Sequence, residues 1–257
     1  MLAQQRRQKI FELIREDGQA KVHALSRIFK VTEVTIRQDL EKLEEEGWVV
    51  REHGGAHLKN IGLSVRNIEL QSKENMAQKE AIARRAQELI QDGDTIILDS
   101  GSTTTEMAKL IRGFRNLTVI TNALNIALIL GEDPEIHLVL TGGEFKAPTL
   151  SLTGQKAADS LDGLHVDKLF LATAGITLKS GLTYPSISDL VVKQAMIESA
   201  DEVYVLADSS KIGKSAFASL GALSLIDTLI TDPGISNEDR DQLTGQGIKL
   251  IVTPETK

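Results

Sequence analysis

Apolar residues in the first part of the chain recur every three to four positions, as on one face of an amphipathic helix. Ile10, Leu13 and Ile14 follow this spacing, and Ile36, Leu40 and Leu43 repeat it further along. Asp17-Gly18 ends the first predicted helix, and Gly47 ends the third. Thr32 is a suitable N-cap residue for the third helix. The pattern predicts short helices over residues 5–16, 22–29 and 33–46 that share one core.

A β-hairpin is predicted after the third helix. Residues 48–51 alternate in polarity, residues 52–55 contain Gly54-Gly55 and form a turn, and residues 56–58 can return as the second strand. Placed beside a helix, such a hairpin is a wing that contacts nucleic acid. The alternative is a solvated hairpin whose only role is to pack Trp48.

From residue 76 onward the pattern changes to alternating helices and strands. A linker without a clear period, residues 59–75, precedes it, which gives domains at 1–58 and 76–257. The alternation predicts an open, mostly parallel α/β domain. Its predicted strands are residues 95–98, 117–121, 136–141, 166–174, 202–207, 228–231 and 248–252. Its predicted helices are residues 76–91, the segment after Gly101, and residues 123–130, 155–161, 187–200 and 237–243.

The composition limits the kinds of site that the chain can form. The 257 residues contain no cysteine, and the five histidines show no ligand spacing, so we expect no thiol chemistry, no metal site and no cofactor. The N-terminus lacks the apolar core of a signal peptide, and no apolar run is long enough to span a membrane. We therefore expect a cytoplasmic protein without a membrane partner.

Charge is distributed unevenly along the chain. The whole chain contains 29 Lys and Arg and 36 Asp and Glu. Residues 1–59 contain 11 of the basic and 10 of the acidic residues, so the remaining residues contain 18 basic and 26 acidic ones. Because a local basic face binds DNA, an acidic body does not exclude a DNA site.

The second and third predicted helices, joined by residues 30–32, have the arrangement of a helix-turn-helix. On the outward side of the third, Gln38 can pair with an adenine edge, Arg37 with guanine or a phosphate, and Val34 with a thymine methyl group. Asp39 lies nearer the core, and we interpret it as a structural ion-pair or hydrogen-bond acceptor. The predicted DNA-contacting residues are Thr32, Val34, Thr35, Arg37, Gln38, Lys42, Arg51 and His53.

These residues resemble the winged helix-turn-helix of DeoR-type bacterial regulators. The resemblance rests on Arg6, Ile10, Ile14, the run Thr-Glu-Val-Thr-Ile-Arg-Gln-Asp-Leu at residues 32–40, Glu44, Gly47, Arg51 and Gly54-Gly55-Ala56. It implies a transcriptional regulator whose partner is double-stranded operator DNA, acting as a homodimer or homotetramer. Gln38 departs from the family, which more often has a basic residue, Asn or Ala there, so the operator sequence does not follow from the resemblance.

Small polar residues follow most of the predicted strands. In segment 99–105, a Gly and hydroxyl-rich turn opens directly into a helix, which suits an anion. Hydroxyl, amide, carboxylate and ammonium groups at one edge of the sheet suit a phosphorylated polyol; the alternative for each loop alone is an ordinary cap. The predicted effector-binding residues are Lys79, Asp99, Ser100, Gly101, Ser102, Thr103, Thr104, Thr121, Asn122, Gly142, Gly143, Gly175, Lys193, Asp208 and Lys211.

The second half also resembles the DeoR-type sensor domain, which is similar to ribose-5-phosphate isomerase. In the isomerases an acidic Asp-Gly-Ala-Asp-Glu motif follows later in the chain, whereas residues 172–175 here are Ala-Thr-Ala-Gly. Isomerisation needs a general base, and the nearby loops offer only Asp99, Glu144 and Asp208. The expectation is a non-enzymatic repressor of a carbohydrate-catabolism operon with a phosphorylated sugar as effector. The alternatives are an isomerase-like enzyme with a helical partner-binding head, and a winged helix that binds only protein.

Overall fold

The computed structural model describes residues 2–59 and 74–255, which divide into two compact units. The N-terminal unit contains residues 2–59 with Lys146–Thr149, and the C-terminal unit contains the other described residues. Residues 60–73, most of the predicted linker, lie outside the described residues. Among the described helices none is long and apolar enough to cross a membrane.

The N-terminal unit contains the predicted helices α1 (Ala3–Asp17), α2 (Val22–Phe29) and α3 (Glu33–Glu45). Gly18 ends α1 in the left-handed conformation (φ 77°), and the Thr32 hydroxyl caps α3 by accepting the Thr35 N–H. The shared core is confirmed, because the apolar residues of the three faces are buried. Its most buried members are Ile10, Ile14, Leu25, Ile36 and Leu40.

The predicted hairpin is present as β2 (Val49–Glu52) and β3 (Gly55–Leu58), and β1 (Gln19–Lys21) adds a third antiparallel strand in the order β1-β3-β2. A Cβ on Gly55 would lie 2.4 Å from the Ala20 carbonyl oxygen, so the close approach of β1 requires this glycine. The sequence pattern missed β1 because three residues show no period.

The C-terminal unit contains a seven-stranded sheet. Its strands are β4 (Thr95–Leu98), β5 (Thr118–Thr121), β6 (His137–Leu140), β9 (Val166–Ala172), β12 (Ala200–Leu206), β14 (Thr228–Thr231) and β15 (Lys249–Val252). They lie in the order β15-β14-β12-β9-β4-β5-β6, and every neighbouring pair is parallel. This is the open, parallel α/β architecture that the alternation predicts. Its helices are α4 (Met76–Gln87), α5 (Ser102–Leu110), α6 (Leu124–Leu130), α7 (Gln155–Asp159), α8 (Ser188–Glu198) and α9 (Asn237–Gly245).

Both faces of this sheet are covered, because its strands contribute apolar residues alternately to two cores. Ile97, Leu171 and Val205 belong to the core that includes Val192 and Met196 of α8. Leu98, Phe170, Tyr204 and Leu206 belong to the core that includes residues of α4 and α5. Nearly continuous apolar runs are typical of strands buried on both faces.

The strand order reverses between β4 and β9. From β4 the chain proceeds outward through β5 to β6, and it then returns to the opposite side of β4 as β9. In open α/β sheets a ligand binds beyond the carboxyl ends of the strands at such a switch point. This topology places the candidate site between the loops that follow Leu98 and Ala172.

Short antiparallel strands accompany the main sheet and were not predicted. β10 (Gly175–Thr177), β11 (Gly181–Tyr184) and β13 (Ala218–Gly221) form one small sheet, and β7 (Glu144–Lys146) pairs with β8 (Ser151–Thr153). Short 3₁₀ turns span Ala147–Thr149, Ser209–Lys211 and Leu223–Leu225. The prediction of a strand through residue 174 was too long, because β9 ends at Ala172 and a new strand begins at Gly175.

Asp39 has the structural role that the sequence indicates. Its carboxylate accepts hydrogen bonds from Arg6 Nε at 2.6 Å and Arg6 Nη2 at 3.2 Å, and the two side chains are 4% and 12% exposed. The pair ties α1 to α3, so the interpretation of Asp39 as an ion-pair acceptor is confirmed.

Replacing Asp39 tests this contact. Asp39→Ala leaves the half-buried Arg6 guanidinium unpaired, and we expect the free energy of unfolding of the N-terminal unit to fall by about 2 kcal/mol. Trp48, the single tryptophan, stacks at an angle on Phe11 with ring centroids 5.2 Å apart, so its fluorescence in urea reports on this unit. Lys42→Ala, which breaks an exposed pair, is the control; equal midpoints for the two variants would contradict the role of Asp39.

Candidate functional site

The outward face of α3 carries the side chains that the sequence analysis assigns to DNA. Val34 is 61% exposed, and Arg37, Gln38 and Lys42 are also exposed, whereas Thr35 is half-buried. Thr32 Oγ1 accepts the Thr35 N–H at 3.2 Å and lies 2.9 Å from the Thr35 hydroxyl. Thr32 therefore has a helix-capping role, and the exposed side chains beyond it form the candidate DNA-reading face.

The basic side chains of this face have exposed carboxylate partners. Arg37 Nη2 lies 2.7 Å from Glu33, and Lys42 Nζ lies 2.6 Å from Glu45, which raises the pKa of Lys42 through their hydrogen bond. Such pairs contribute little when both groups are solvated, so a DNA phosphate can replace the carboxylate.

The wing contributes two further candidates. The Arg51 backbone N–H donates to Glu44 Oε1 at 2.8 Å, and the Arg51 guanidinium lies 3.8 Å from Glu41, whereas His53 is exposed at the hairpin turn. The Glu44 contact fixes β2 against the end of α3.

In the C-terminal unit, segment 99–105 passes from β4 into α5 at the switch point. A Cβ on Gly101 would lie 2.5 Å from the Ala172 Cβ, so only glycine permits the segment to lie against the end of β9. The Gly101 carbonyl accepts the Thr105 N–H at 2.9 Å and the hydroxyls of Thr104 and Thr105 at 3.0 and 2.6 Å. These contacts fix the start of α5.

The first turn of α5 has unused hydrogen-bond donors. No side chain caps the helix, and among the described residues the backbone N–H groups of Ser102, Thr103 and Thr104 have no acceptor. The side-chain hydroxyls of Ser102 and Thr103 also have no hydrogen-bond partner among the described residues. Donors at a positive helix end form an anion-binding arrangement.

Asp99 is the buried centre of the switch point. Its carboxylate accepts from Lys193 Nζ at 2.6 and 2.5 Å and from the Ala172 N–H at 3.0 Å, and the Lys193 ammonium lies 4.7 Å from the centroid of the Tyr184 ring. Burial raises the pKa of the Asp99 carboxyl, and Lys193 opposes that rise. Asp99 and Lys193 are therefore paired with each other and link β4, β9 and α8.

Two further predicted effector ligands are engaged in structural contacts. Thr121 Oγ1 donates to the Leu98 carbonyl at 2.7 Å and accepts the Ala123 N–H. Asn122 accepts the Ser100 N–H at 3.1 Å and donates to the Leu152 carbonyl at 3.1 Å. Both side chains are buried and hold the loop after β5 against the loop after β4.

A second charged group lies at the ends of α4 and β12. Lys79 is 4% exposed; burial lowers the pKa of its ammonium, and the nearby Asp208 carboxylate opposes this fall. Lys211 belongs to the same electrostatic group and lowers the pKa of Lys79 further. Among the described residues the Lys211 ammonium has no hydrogen-bond or ion-pair partner, so it remains available to an anion.

The predicted glycines have separate structural roles: a hydrogen bond at Gly142, a left-handed backbone at Gly143 and a close approach at Gly175. The Gly142 N–H donates to Ser160 Oγ at 2.9 Å, Gly143 has a φ of 125°, and a Cβ on Gly175 would lie 2.3 Å from the Lys214 carbonyl oxygen. Gly142 and Gly143 follow β6, two strands away from β4, so the structure does not bring them to the switch point.

Sequence reasoning missed three residues of this region. Tyr184 donates its hydroxyl to the Ala172 carbonyl at 2.8 Å, and Ala172 lies against Gly101. Asn75, in the predicted linker, donates to Asp208 Oδ1 at 3.0 Å. Only the position of Ala172 at the carboxyl end of a buried strand was a usable signal, because the other contacts join residues far apart in the chain.

Two family models match the chain, one in each unit. A DeoR-like helix-turn-helix domain matches residues 6–61, and a DeoR C-terminal sensor domain matches residues 74–233.

Similarity to curated proteins extends over nearly the whole chain. A putative aga operon transcriptional repressor from Escherichia coli O157:H7 is 36% identical over 98% of this chain and 94% of its own length. The glycerol-3-phosphate regulon repressor of Escherichia coli K12 is 30% identical over 89% of this chain and 90% of its own. Among solved structures, ribose 5-phosphate isomerase A from Methanocaldococcus jannaschii aligns with a TM-score of 0.39 at 20% identity, covering 54% of this chain and 55% of its own.

The close packing of Gly101 on Ala172 gives a test of the switch-point geometry. Gly101→Ala places two methyl groups 2.5 Å apart, and we expect the free energy of unfolding to fall by about 1–3 kcal/mol. Adding Ala172→Gly restores the space, so calorimetric unfolding of the two single variants and the double variant is expected to show a non-additive cycle. Gly245→Ala, with open space around its Cβ, is the control. Additive losses would contradict the contact.

Proposed function

Because the chain belongs to the DeoR family of helix-turn-helix transcriptional regulators, we propose that it represses a carbohydrate-catabolism operon under the control of a phosphorylated sugar. The protein is a DNA-binding regulator and not an enzyme, which removes the isomerase alternative. The winged helix-turn-helix binds the operator, and the C-terminal unit senses the effector.

The observation that supports the effector class is the set of unused donors that follow the carboxyl ends of two parallel strands, β4 and β12. The first-turn N–H groups of α5, the hydroxyls of Ser102 and Thr103, and the ammonium of Lys211 all suit a phosphate. Asp208, within the same charged group as Lys211, suits the hydroxyls of a polyol. We assign Ser100, Thr104 and Lys79 to the surroundings of this phosphate.

The name of one relative supports the same class. The Escherichia coli K12 protein is a repressor of the glycerol-3-phosphate regulon, and glycerol 3-phosphate is a phosphorylated polyol. A phosphorylated sugar or polyol combines one phosphate with several hydroxyls, which matches the donors and the carboxylate of this site.

Release of the operator follows from linkage between the two units. If the effector favours an arrangement in which two DNA-binding heads no longer match the half-site spacing, operator affinity falls by the coupling factor. This mechanism requires a homodimer or homotetramer, and it places the protein in the cytoplasm with its operator. Residues 1–59 contain 11 basic and 10 acidic residues, so the net charge of the DNA-binding unit is close to zero. Such a unit binds DNA weakly by itself and gains affinity when two copies bind paired half-sites.

Separate variants of the two units test this division. Arg37→Ala should abolish operator binding in a mobility-shift assay, because it removes a base-reading or phosphate-binding guanidinium. It should leave intact the thermal stabilisation by the best compound among glycerol 3-phosphate, ribose 5-phosphate and fructose 6-phosphate. Lys211→Ala should do the reverse, because it removes a free ammonium from the phosphate site.

Matched controls are available in the same two units. Lys9→Ala removes an exposed basic residue of α1, away from the DNA-reading face, and Lys214→Ala removes an exposed lysine three residues from Lys211. Both should behave as the wild type. Loss of the same activity in Arg37→Ala and Lys211→Ala would contradict the division, and no operator binding under any condition would contradict the regulator function.

A further inference from the structure

Asn75 makes a contact that neither the fold nor effector binding accounts for. Its Nδ2 donates to Asp208 Oδ1 at 3.0 Å and lies 3.2 Å from Ser210 Oγ, more than 130 residues along the chain. Asn75 also has a left-handed backbone (φ 53°), which is uncommon outside glycine although Asn tolerates it. The side-chain contact thus holds a locally unfavourable conformation.

The position of Asn75 connects two parts of the molecule. It immediately precedes α4, and its carbonyl accepts the Lys79 N–H at 3.0 Å, which begins the helix. In the other direction the chain runs through residues 60–73, outside the described range, to the DNA-binding unit. Any change in the conformation of Asn75 therefore acts at the covalent connection between the units.

The partner of Asn75 lies in the candidate effector site. Asp208 Oδ1 already accepts from Asn75 Nδ2, from the Ser210 N–H at 3.1 Å and from the Ser210 hydroxyl. A carboxylate oxygen has two lone pairs, so this oxygen is fully occupied. A polyol hydroxyl that donates to Oδ1 competes with these three donors, and Asn75 is the donor from outside the 208–210 turn.

We propose that the contact of Asn75 with Asp208 and Ser210 couples occupancy of the effector site to operator affinity. The inference rests on the function proposed above and deepens it. An effector hydroxyl takes the place of the Asn75 amide on Asp208, Asn75 leaves its left-handed conformation, and the start of α4 changes. Asn75 is a coupling residue and not an effector ligand.

The variant Asn75→Gly isolates the side chain. Glycine adopts a left-handed backbone without cost, so the substitution removes the amide and keeps the local conformation accessible. In the full-length chain we expect its operator Kd without any phosphosugar to shift from the wild-type value toward the Kd of the wild type with a saturating phosphosugar, because the contact no longer holds the left-handed conformation. The wild-type change is expected to be about 10-fold, within the usual range of coupling factors, and the variant should change less than about 2-fold on addition.

Three measurements define the experiment. Operator Kd is measured by mobility shift on a sequence selected in vitro by the wild type, with and without glycerol 3-phosphate, ribose 5-phosphate or fructose 6-phosphate. Binding of the same compounds is measured by thermal shift, which Asn75→Gly should retain. Glu80→Ala is the control and should keep the wild-type coupling, because Glu80 is an exposed residue of α4 whose ion pair, within the described part of the chain, is with Arg84 of the same helix.

The outcomes separate this inference from the proposed function. A phosphosugar response in Asn75→Gly equal to that of the wild type would overturn the inference and leave the proposed function standing. If none of the three compounds stabilises the wild type, the proposed effector class is wrong. The inference is then tested by the operator Kd of variants measured without ligand. In that case Asn75→Gly and Asp208→Ala should each change operator Kd, and the double variant should change it no further; unchanged or additive values would overturn the inference.

Discussion

The arrangement of the C-terminal unit depends on one buried carboxylate. Asp99 is fully buried, accepts two short contacts from Lys193 and one hydrogen bond from the Ala172 N–H, and so joins β4, β9 and α8 where the strand order reverses. A buried carboxylate is tolerated only with such compensation, because removing one partner leaves an unpaired charge in a medium of low polarity. The position of segment 99–105, and therefore the direction of the α5 dipole, follows from this pair.

The pairing divides the polar residues of the site into two classes. One class forms hydrogen bonds with other side chains of the site or with the backbone and so maintains the shape of the site; its members are Asp99, Lys193, Thr121 and Asn122. The first turn of α5 and Lys211 have unused donors among the described residues, which is why we propose them as ligands of an anion. Preorganised donors bind a phosphate well because no protein contact must be broken first.

Sequence patterns predicted the architecture well because burial imposes periodicity. The buried stripe of Ile36, Leu40 and Leu43 fixed both the position of α3 and its outward face, and even the inward position of Asp39 followed from it. Short antiparallel strands such as β1 and β10 have too few residues to show a period. The roles of individual polar residues were harder to predict, since a threonine at a strand end looks the same whether it binds a ligand or, like Thr121, the neighbouring strand. The contact of Asn75 could not be predicted from the sequence, because its partners Asp208 and Ser210 are more than 130 residues away along the chain.

We propose the N–H groups of Ser102, Thr103 and Thr104 at the start of α5 as the phosphate-binding donors. The most direct measurement is the amide NMR spectrum of the full-length chain, titrated with the phosphosugar that stabilises it most and, in parallel, with the same sugar lacking the phosphate. We expect large downfield shifts of the Ser102, Thr103 and Thr104 amide protons with the phosphorylated compound and none with the unphosphorylated sugar. Unchanged amides at these positions, with shifts elsewhere in the unit, would contradict it.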